Sequence, residues 1–296
     1  MSFHHSSSAD QERSHTSRRV ITIMILVAIV VMGVLTYEGS LRMKVSSHHP
    51  TGTVLPRTFY PVGIRDSKEP SGYSPPSSTA LPGYTRVYVN DFNSGGIPKG
   101  WTLFNGVPGG DPGARFLPKH VTVKKGELVI SAYRDPSFHD RWATGGLCQC
   151  GAPQLYGAYF VRSRSTAVGP NNVELLWPEN NQWPPEIDFN ETPAAHQTTA
   201  TVHWGFGNST QQWIKNPVNM LAWNTWGVVW TPTEILYTLN GHVWGIITNP
   251  QAIPRLPMRL DFEQRTQCTV HAQCPKVPVA QMQVDWVVEY HLEPNS

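Results

Sequence analysis

The stretch Trp183-Pro184-Pro185-Glu186-Ile187-Asp188-Phe189-Asn190-Glu191 sets three carboxylates within six residues of otherwise strand-like sequence. In a regular strand, side chains at i and i+2 share a face, so Glu186 and Asp188 point one way and Glu191 the other. One extra residue corrects this. If Phe189 and Asn190 together oppose a single partner residue, a bulge shifts the register and all three acids face one cleft. The plain alternative is a solvated acidic strand edge. A bulged trio has a chemistry of its own. Retaining hydrolysis of a glycosidic bond uses two carboxyl groups about 5–5.5 Å apart, one attacking the anomeric carbon and one protonating the leaving oxygen. Glu186 and Glu191 lie four effective strand steps apart, roughly 13 Å at the backbone, a gap that two glutamates leaning together nearly close and two aspartates would not. Asp188, between them, would raise a neighbour's proton affinity by like-charge repulsion and could hold the nucleophile by a hydrogen bond.

Aromatic residues crowd around the acids. Of 11 Trp, eight fall between Trp177 and Trp244. Sugar rings stack their C–H faces on indole, so acids on a floor with tryptophans on the walls suit a polysaccharide. Trp226, Trp230, Trp244 and Trp286 sit in alternating strand patterns and are expected in the core. Trp177, Trp183 and Trp204 adjoin the acidic strand or His203, and these are the candidates for stacking on substrate. His203 is a lone histidine in an apolar strand; a satisfied partner in the sheet and a hydrogen-bonding role toward substrate or carboxylate are both open to it. The remaining histidines form no ligand set, so no metal and no cofactor are expected.

The flanks carry a resemblance. The run Val173-Glu174-Leu175-Leu176-Trp177-Pro178, then Trp183-Pro184-Pro185 and Glu186-Ile187-Asp188, resembles the signature of glycoside hydrolase family 16 in its bulged form, with two residues between the aspartate and the second glutamate. Further matches follow in order: Tyr156-Gly157, Val202-His203-Trp204-Gly205, Trp223 to Pro232, Ile235 to Gly241 and Val284 to Tyr290, so that the likeness covers residues 84 to 293. Asn190 departs from it, standing at a bulge position usually filled by an apolar residue. The resemblance implies Glu186 as nucleophile, Asp188 as its helper, and Glu191 as general acid and then base. It also implies a β-jelly-roll sandwich with a concave cleft and a β-linked polysaccharide substrate, with the bulged spacing favouring the β-1,3-glucanase side over the lichenase side. Galactan hydrolases and transglycosylases share the family, and a non-catalytic carbohydrate-binding jelly roll is the alternative of another class. The crowded acids weigh against that last reading, because binding alone needs only the aromatics.

The elements that must position these residues read as all-β. Short alternating stretches such as Leu128/Ile130, Tyr156/Ala158/Phe160 and Met282 to Tyr290 dominate from Tyr84 onward, Asn240-Gly241 marks a hairpin, and no amphipathic helix interrupts them. Residues 84–296 are therefore expected to form one catalytic domain. Before it, residues 38–83 carry Pro, Ser-Ser and His-His patches without apolar period and read as an extended linker. The segment from Val20 to Tyr37 is uncharged, follows Arg13, Arg18 and Arg19, and is just long enough to span a bilayer. It reads as a transmembrane signal anchor, with residues 1–19 cytoplasmic and the catalytic domain outside the cell, or secreted if the segment is cleaved.

Charge excludes one class of partner. Residues 84–296 hold 15 Lys and Arg against 16 Asp and Glu, without a basic stripe, so nucleic acid is not expected. Cys148, Cys150, Cys268 and Cys274 suit disulfides in an exported domain, and their C-x-C and C-x5-C spacing is a poor zinc pattern. Pairing within each cluster and cross-pairing between the clusters are both open.

Overall fold

The structure, a computed structural model, describes residues 59–194, 196–266, 268 and 274–294. The chain divides into two units, Met1–Arg57 and Thr58–Ser296, and the described residues belong to the second. They are almost wholly strand. A short ribbon pairs β1 (Ile64–Arg65) with β2 (Tyr73–Ser74), followed by β3 (Tyr84–Asn90), β4 (Thr102–Leu103), β5 (Val121–Lys124) and β6 (Glu127–Asp135). Next come β7 (Arg141–Ala143), β8 (Gly146–Cys148), β9 (Gly157–Ser165), β10 (Asn171–Pro178), β11 (Glu186–Ala194) and β12 (Gln197–Trp204). The series closes with β13 (Ser209–Lys215), β14 (Asn224–Trp230), β15 (Ile235–Leu239), β16 (His242–Ile247), β17 (Met258–Arg265) and β18 (Val279–Leu292). The only helical turns among the described residues are Pro118–His120 and Pro136–Phe138.

Two antiparallel sheets stack face to face. One runs β13-β12-β11-β10-β17-β8-β4; the other runs β16-β15-β14-β9-β18-β6-β5, with β3 on β18 and β7 on β6. Strand alternation sends one set of side chains from each sheet into a shared core, including Leu176, Ile187, Phe189, Val202 and Phe262 from the first and Ile130, Trp226, Trp230 and Met282 from the second. Trp226, Trp230 and Trp286 are buried as expected, and Trp244 packs half-buried on the core. Asn240 and Gly241, both at positive φ, turn β15 into β16, which is the hairpin that the dipeptide signals.

Residues 59–83 correct the expected boundary at 84. They lie across the outer face of the larger sheet, where Leu81, Tyr60 and Tyr84 cover Phe160, Trp286 and Tyr290. Backbone carbonyls of this strap accept from core side chains: Tyr73 from Trp286 Nε1 at 2.9 Å, and Ser77 from Tyr290 Oη at 2.8 Å. The Ser71 amide in turn donates to Asp285 Oδ2 at 3.1 Å. Gly63, at φ +99°, passes so near Trp286 that a Cβ would sit 2.9 Å from the indole. Proline-rich sequence here is edge packing held largely through main-chain carbonyls, which require no apolar period. Residues 38–58 of the expected linker, the 1–19 tail and the Val20–Tyr37 segment lie outside the described residues. Among the described residues no helix is long and apolar enough to cross a membrane. The cysteines pair within their clusters, Cys148 with Cys150 and Cys268 with Cys274.

Candidate active site

The acidic strand is β11, and its bulge is where the spacing predicts it. Against β12, Glu186 pairs with His203, Asp188 with Thr201 and Glu191 with Thr199, so Phe189 and Asn190 share Ala200 as their single opposite residue. Against β10 the same shift falls between Glu174 and Leu175. All three acids consequently line one open cleft of about 1020 Å³ on the outer face of the smaller sheet, together with Trp177, Trp183 and His203.

Hydrogen bonds fix the acids unequally. Trp183 Nε1 donates to Glu186 Oε2 at 2.7 Å, and its ring lies 5.7 Å from that of His203. His203 Nε2 lies 3.3 Å from Asp188 Oδ2, while its Nδ1 is 2.8 Å from Asn208 Oδ1. Asn208 Oδ1 only accepts, so Nδ1 donates to it and Nε2 is the ring nitrogen left facing Asp188. Glu191 is less buried than the other two and accepts from Thr199 Oγ1 at 3.3 Å. Burial pushes the Asp188 carboxyl well above the usual carboxylate range, and the charges of Glu186 and Glu191 add to the push. Burial also raises Glu186, but the Trp183 bond and the cations His203 and Arg265 pull it back. Burial therefore favours the protonated form of Asp188 more strongly than that of Glu186. Glu186, Asp188 and His203 offer ligand atoms within 4.8 Å of one another and could hold a cation, which would occupy the Glu186 carboxylate.

Asn190, the departure noted in the sequence, has a partner that explains it. Its side chain turns inward, accepts from Thr198 Oγ1 at 2.7 Å and bonds Glu174, a fully buried carboxyl that also takes the Ser163 hydroxyl. An apolar residue at the bulge would take this acceptor away from the buried Thr198 hydroxyl. Burial lifts Glu174 to about 8 against the lowering by its two hydrogen bonds, and lifts Glu289 likewise to about 8. Between about pH 4.5 and 8 the folded state then keeps protons that the unfolded chain releases, so stability falls as pH rises through that window. Thermal unfolding across pH 5 to 8 is expected to show this decline, on the order of a few kcal/mol per group. Glu174→Gln is expected to flatten the slope, and an unchanged slope would mean that Glu174 is already ionised in the fold.

One expected site residue is placed elsewhere. Trp204 packs half-buried against the core, because it follows cleft-facing His203 by one residue on the same strand. Other cleft residues carry no obvious sequence signal. Leu103 to Gly110 contributes a glycine-rich wall with Phe104 and Phe116. Thr201, Thr210 and Gln212 supply neutral polar groups from β12 and β13. Glu263 and Arg265 on β17 form an ion pair of 2.6 Å in the floor. Their alternation in Arg259-x-Asp261-x-Glu263-x-Arg265 was the available clue to a charged strand face.

Residues 114–287 match the model of glycosyl hydrolases family 16. Solved structures share the fold. The laminarinase from Rhodothermus marinus is 21% identical with a TM-score of 0.64, covering 72% of this chain and 100% of that one. The endo-beta-1,3-glucanase from Pyrococcus furiosus is 19% identical with a TM-score of 0.59, covering 70% and 94%. A Bacteroides ovatus family 16 protein of a mixed-linkage glucan locus, solved with a G4G4G3G product, is 18% identical with a TM-score of 0.59, covering 68% and 99%. No curated protein sequence matches the chain.

Proposed function

This chain belongs to glycosyl hydrolases family 16, and from that premise we propose that it is an extracytoplasmic retaining endo-glycosidase that cleaves a β-linked polysaccharide, a β-1,3-glucan in the first instance. The bulge carries the reading, because it turns three closely spaced acids to one face among aromatic walls. In the proposed first step Glu186 attacks the anomeric carbon while Glu191 gives its proton to the departing oxygen, leaving a glycosyl ester on Glu186. In the second, Glu191 takes a proton from water, whose oxygen displaces Glu186 and restores the original anomer. Asp188, protonated, donates to Glu186 and orients it. Trp177 and Trp183 would stack on sugar rings, and His203 would position the acid pair. The uncharged Val20–Tyr37 segment supports membrane anchorage with the catalytic domain outside the cell, and the similarity to structures of a laminarinase and an endo-beta-1,3-glucanase supports the substrate.

Reducing-end release from a panel of neutral β-glucans and galactans by the full-length chain tests the activity, with laminarin expected to be cleaved fastest. The product's initial anomer, read by proton NMR, is expected to be β. Activity is expected to follow a bell in pH. Burial raises Glu186, so its ionised form, and the acid limb with it, lies above the usual glutamate range. The alkaline limb marks loss of the acid's proton. A rate flat from acid to strongly alkaline pH would contradict the two-carboxyl scheme.

A further inference from the structure

The cleft holds a cation that is already taken. Among the described residues lining it, the acidic side chains are Glu186, Asp188, Glu191 and Glu263, and the basic ones are Arg265 and His203. Arg265 directs Nε at 2.8 Å and Nη2 at 2.6 Å to one oxygen of Glu263, Oε2. That edge of the guanidinium is the fork that would otherwise grip a sulfate or carboxylate in two parallel bonds. Its other terminal nitrogen, Nη1, lies against the Gly110 turn of the cleft wall. The pair stands close to the acids, because Val173 of β10 pairs with Glu191 of β11 on one side and with Glu263 of β17 on the other. An anionic sugar bound there would meet several carboxylates and no free cation, in a concave site that focuses their field.

We propose that Glu263 and Arg265 form a subsite that reads the hydroxyls of an uncharged sugar and rejects sulfated or uronic ones, with Glu263 as the residue that sets this choice. Glu263 Oε1, which takes no part in the ion pair, accepts from one hydroxyl, and the guanidinium donates to a neighbouring hydroxyl oxygen. Free of Glu263, the same arginine would recruit anions. The inference rests on the carbohydrate-cleft reading above and adds the charge class of the substrate to it.

The test compares laminarin carrying sulfate groups with laminarin methylated to the same degree, which controls for bulk and lost hydroxyls. Binding is measured by calorimetry on the full-length chain with Glu186→Gln, which blocks turnover, and hydrolysis is measured on the unaltered protein. The methylated glucan is expected to bind at least about tenfold more tightly than the sulfated one at low salt, with the gap narrowing as salt rises. Glu263→Gln is expected to shrink that ratio by about tenfold. Arg265→Gln, which keeps the carboxylate and removes the cation, is expected to widen it, and stands in if the first variant does not fold. A purely structural ion pair would lower the melting temperature in both variants and leave the ratio alone. A ratio near one in the wild-type cleft, or no change on freeing Arg265 in a folded Glu263→Gln chain, overturns the proposal. An intact binding ratio without hydrolysis of any glucan would sink the glycosidase reading and leave the subsite standing. Binding of neither glucan overturns both.

Discussion

Glu186→Gln is expected to reduce kcat on a β-1,3-glucan on the order of 10⁴-fold or more while leaving the melting temperature close to that of the unaltered chain. The change removes the group that forms the covalent intermediate, yet glutamine keeps the shape and can still accept the Trp183 bond to Glu186 Oε2. Glu191→Gln is expected to cost about 10²–10⁴-fold on the same glucan, and far less on an aryl glycoside whose leaving group needs no proton. Asp188→Asn is milder, because the asparagine amide can replace the O–H that protonated Asp188 offers to Glu186. The two glutamates can be told apart by their products. With Glu186 cut back to alanine, azide entering the vacated space attacks the activated β-glycoside directly and gives the α-glycosyl azide. With Glu191→Ala, azide intercepts the glycosyl-enzyme and gives the β-azide. Exchanged anomers would reverse the assignment, and rescue of neither variant would remove the support for a covalent mechanism.

The second large effect concerns the domain's N-terminal edge. A chain beginning at residue 84 is expected to be insoluble or to melt far below one beginning at 59, because the missing strap exposes Phe160, Trp286 and Tyr290. Each such side chain loses about 2 kcal/mol of burial, and together they approach the whole stability of a typical domain. Trp286 Nε1 and Tyr290 Oη would also lose their carbonyl acceptors. Expression of both fragments, with calorimetric melting of whatever is soluble, decides the matter. Equal melting temperatures would reduce residues 59–83 to decoration.

These two results draw on different kinds of legibility. The acidic strand could be read from its sequence because strand parity is a rigid rule: two acids at i and i+2 and a third at i+5 face one cleft only through a bulge. Parity also places Trp204 in the core once His203 is assigned to the cleft, and the expectation that it stacks on substrate rested on its adjacency to His203 instead. The strap escaped because its hold is through main-chain carbonyls and two scattered apolar contacts, Tyr60 and Leu81, which leave no periodic trace. Glu263 and Arg265 escaped for a related reason. Their strand shows four alternating charges, a pattern that alone describes a wet edge, and only the sheet order reveals that β17 lies next to β10 and two strands from β11. The glycine-rich wall from Leu103 to Gly110 reaches the cleft by tertiary folding across distant sequence, which local pattern does not encode.

Strand β18 has a consequence for the timing of assembly. Val279–Leu292 comes last in chain order among the described strands and yet lies inside the larger sheet, bonded to β3, β6 and β9. Until it emerges from the ribosome, strands made some 120 to 200 residues earlier lack their shared neighbour, and the sandwich cannot close. A chain in which β18 is not yet free to pair therefore keeps its aromatic faces unburied and in need of chaperoning. Closure of the sandwich is then set by the moment at which Val279–Leu292 becomes free to pair, so that one strand near the end of the described residues times the folding of strands far upstream.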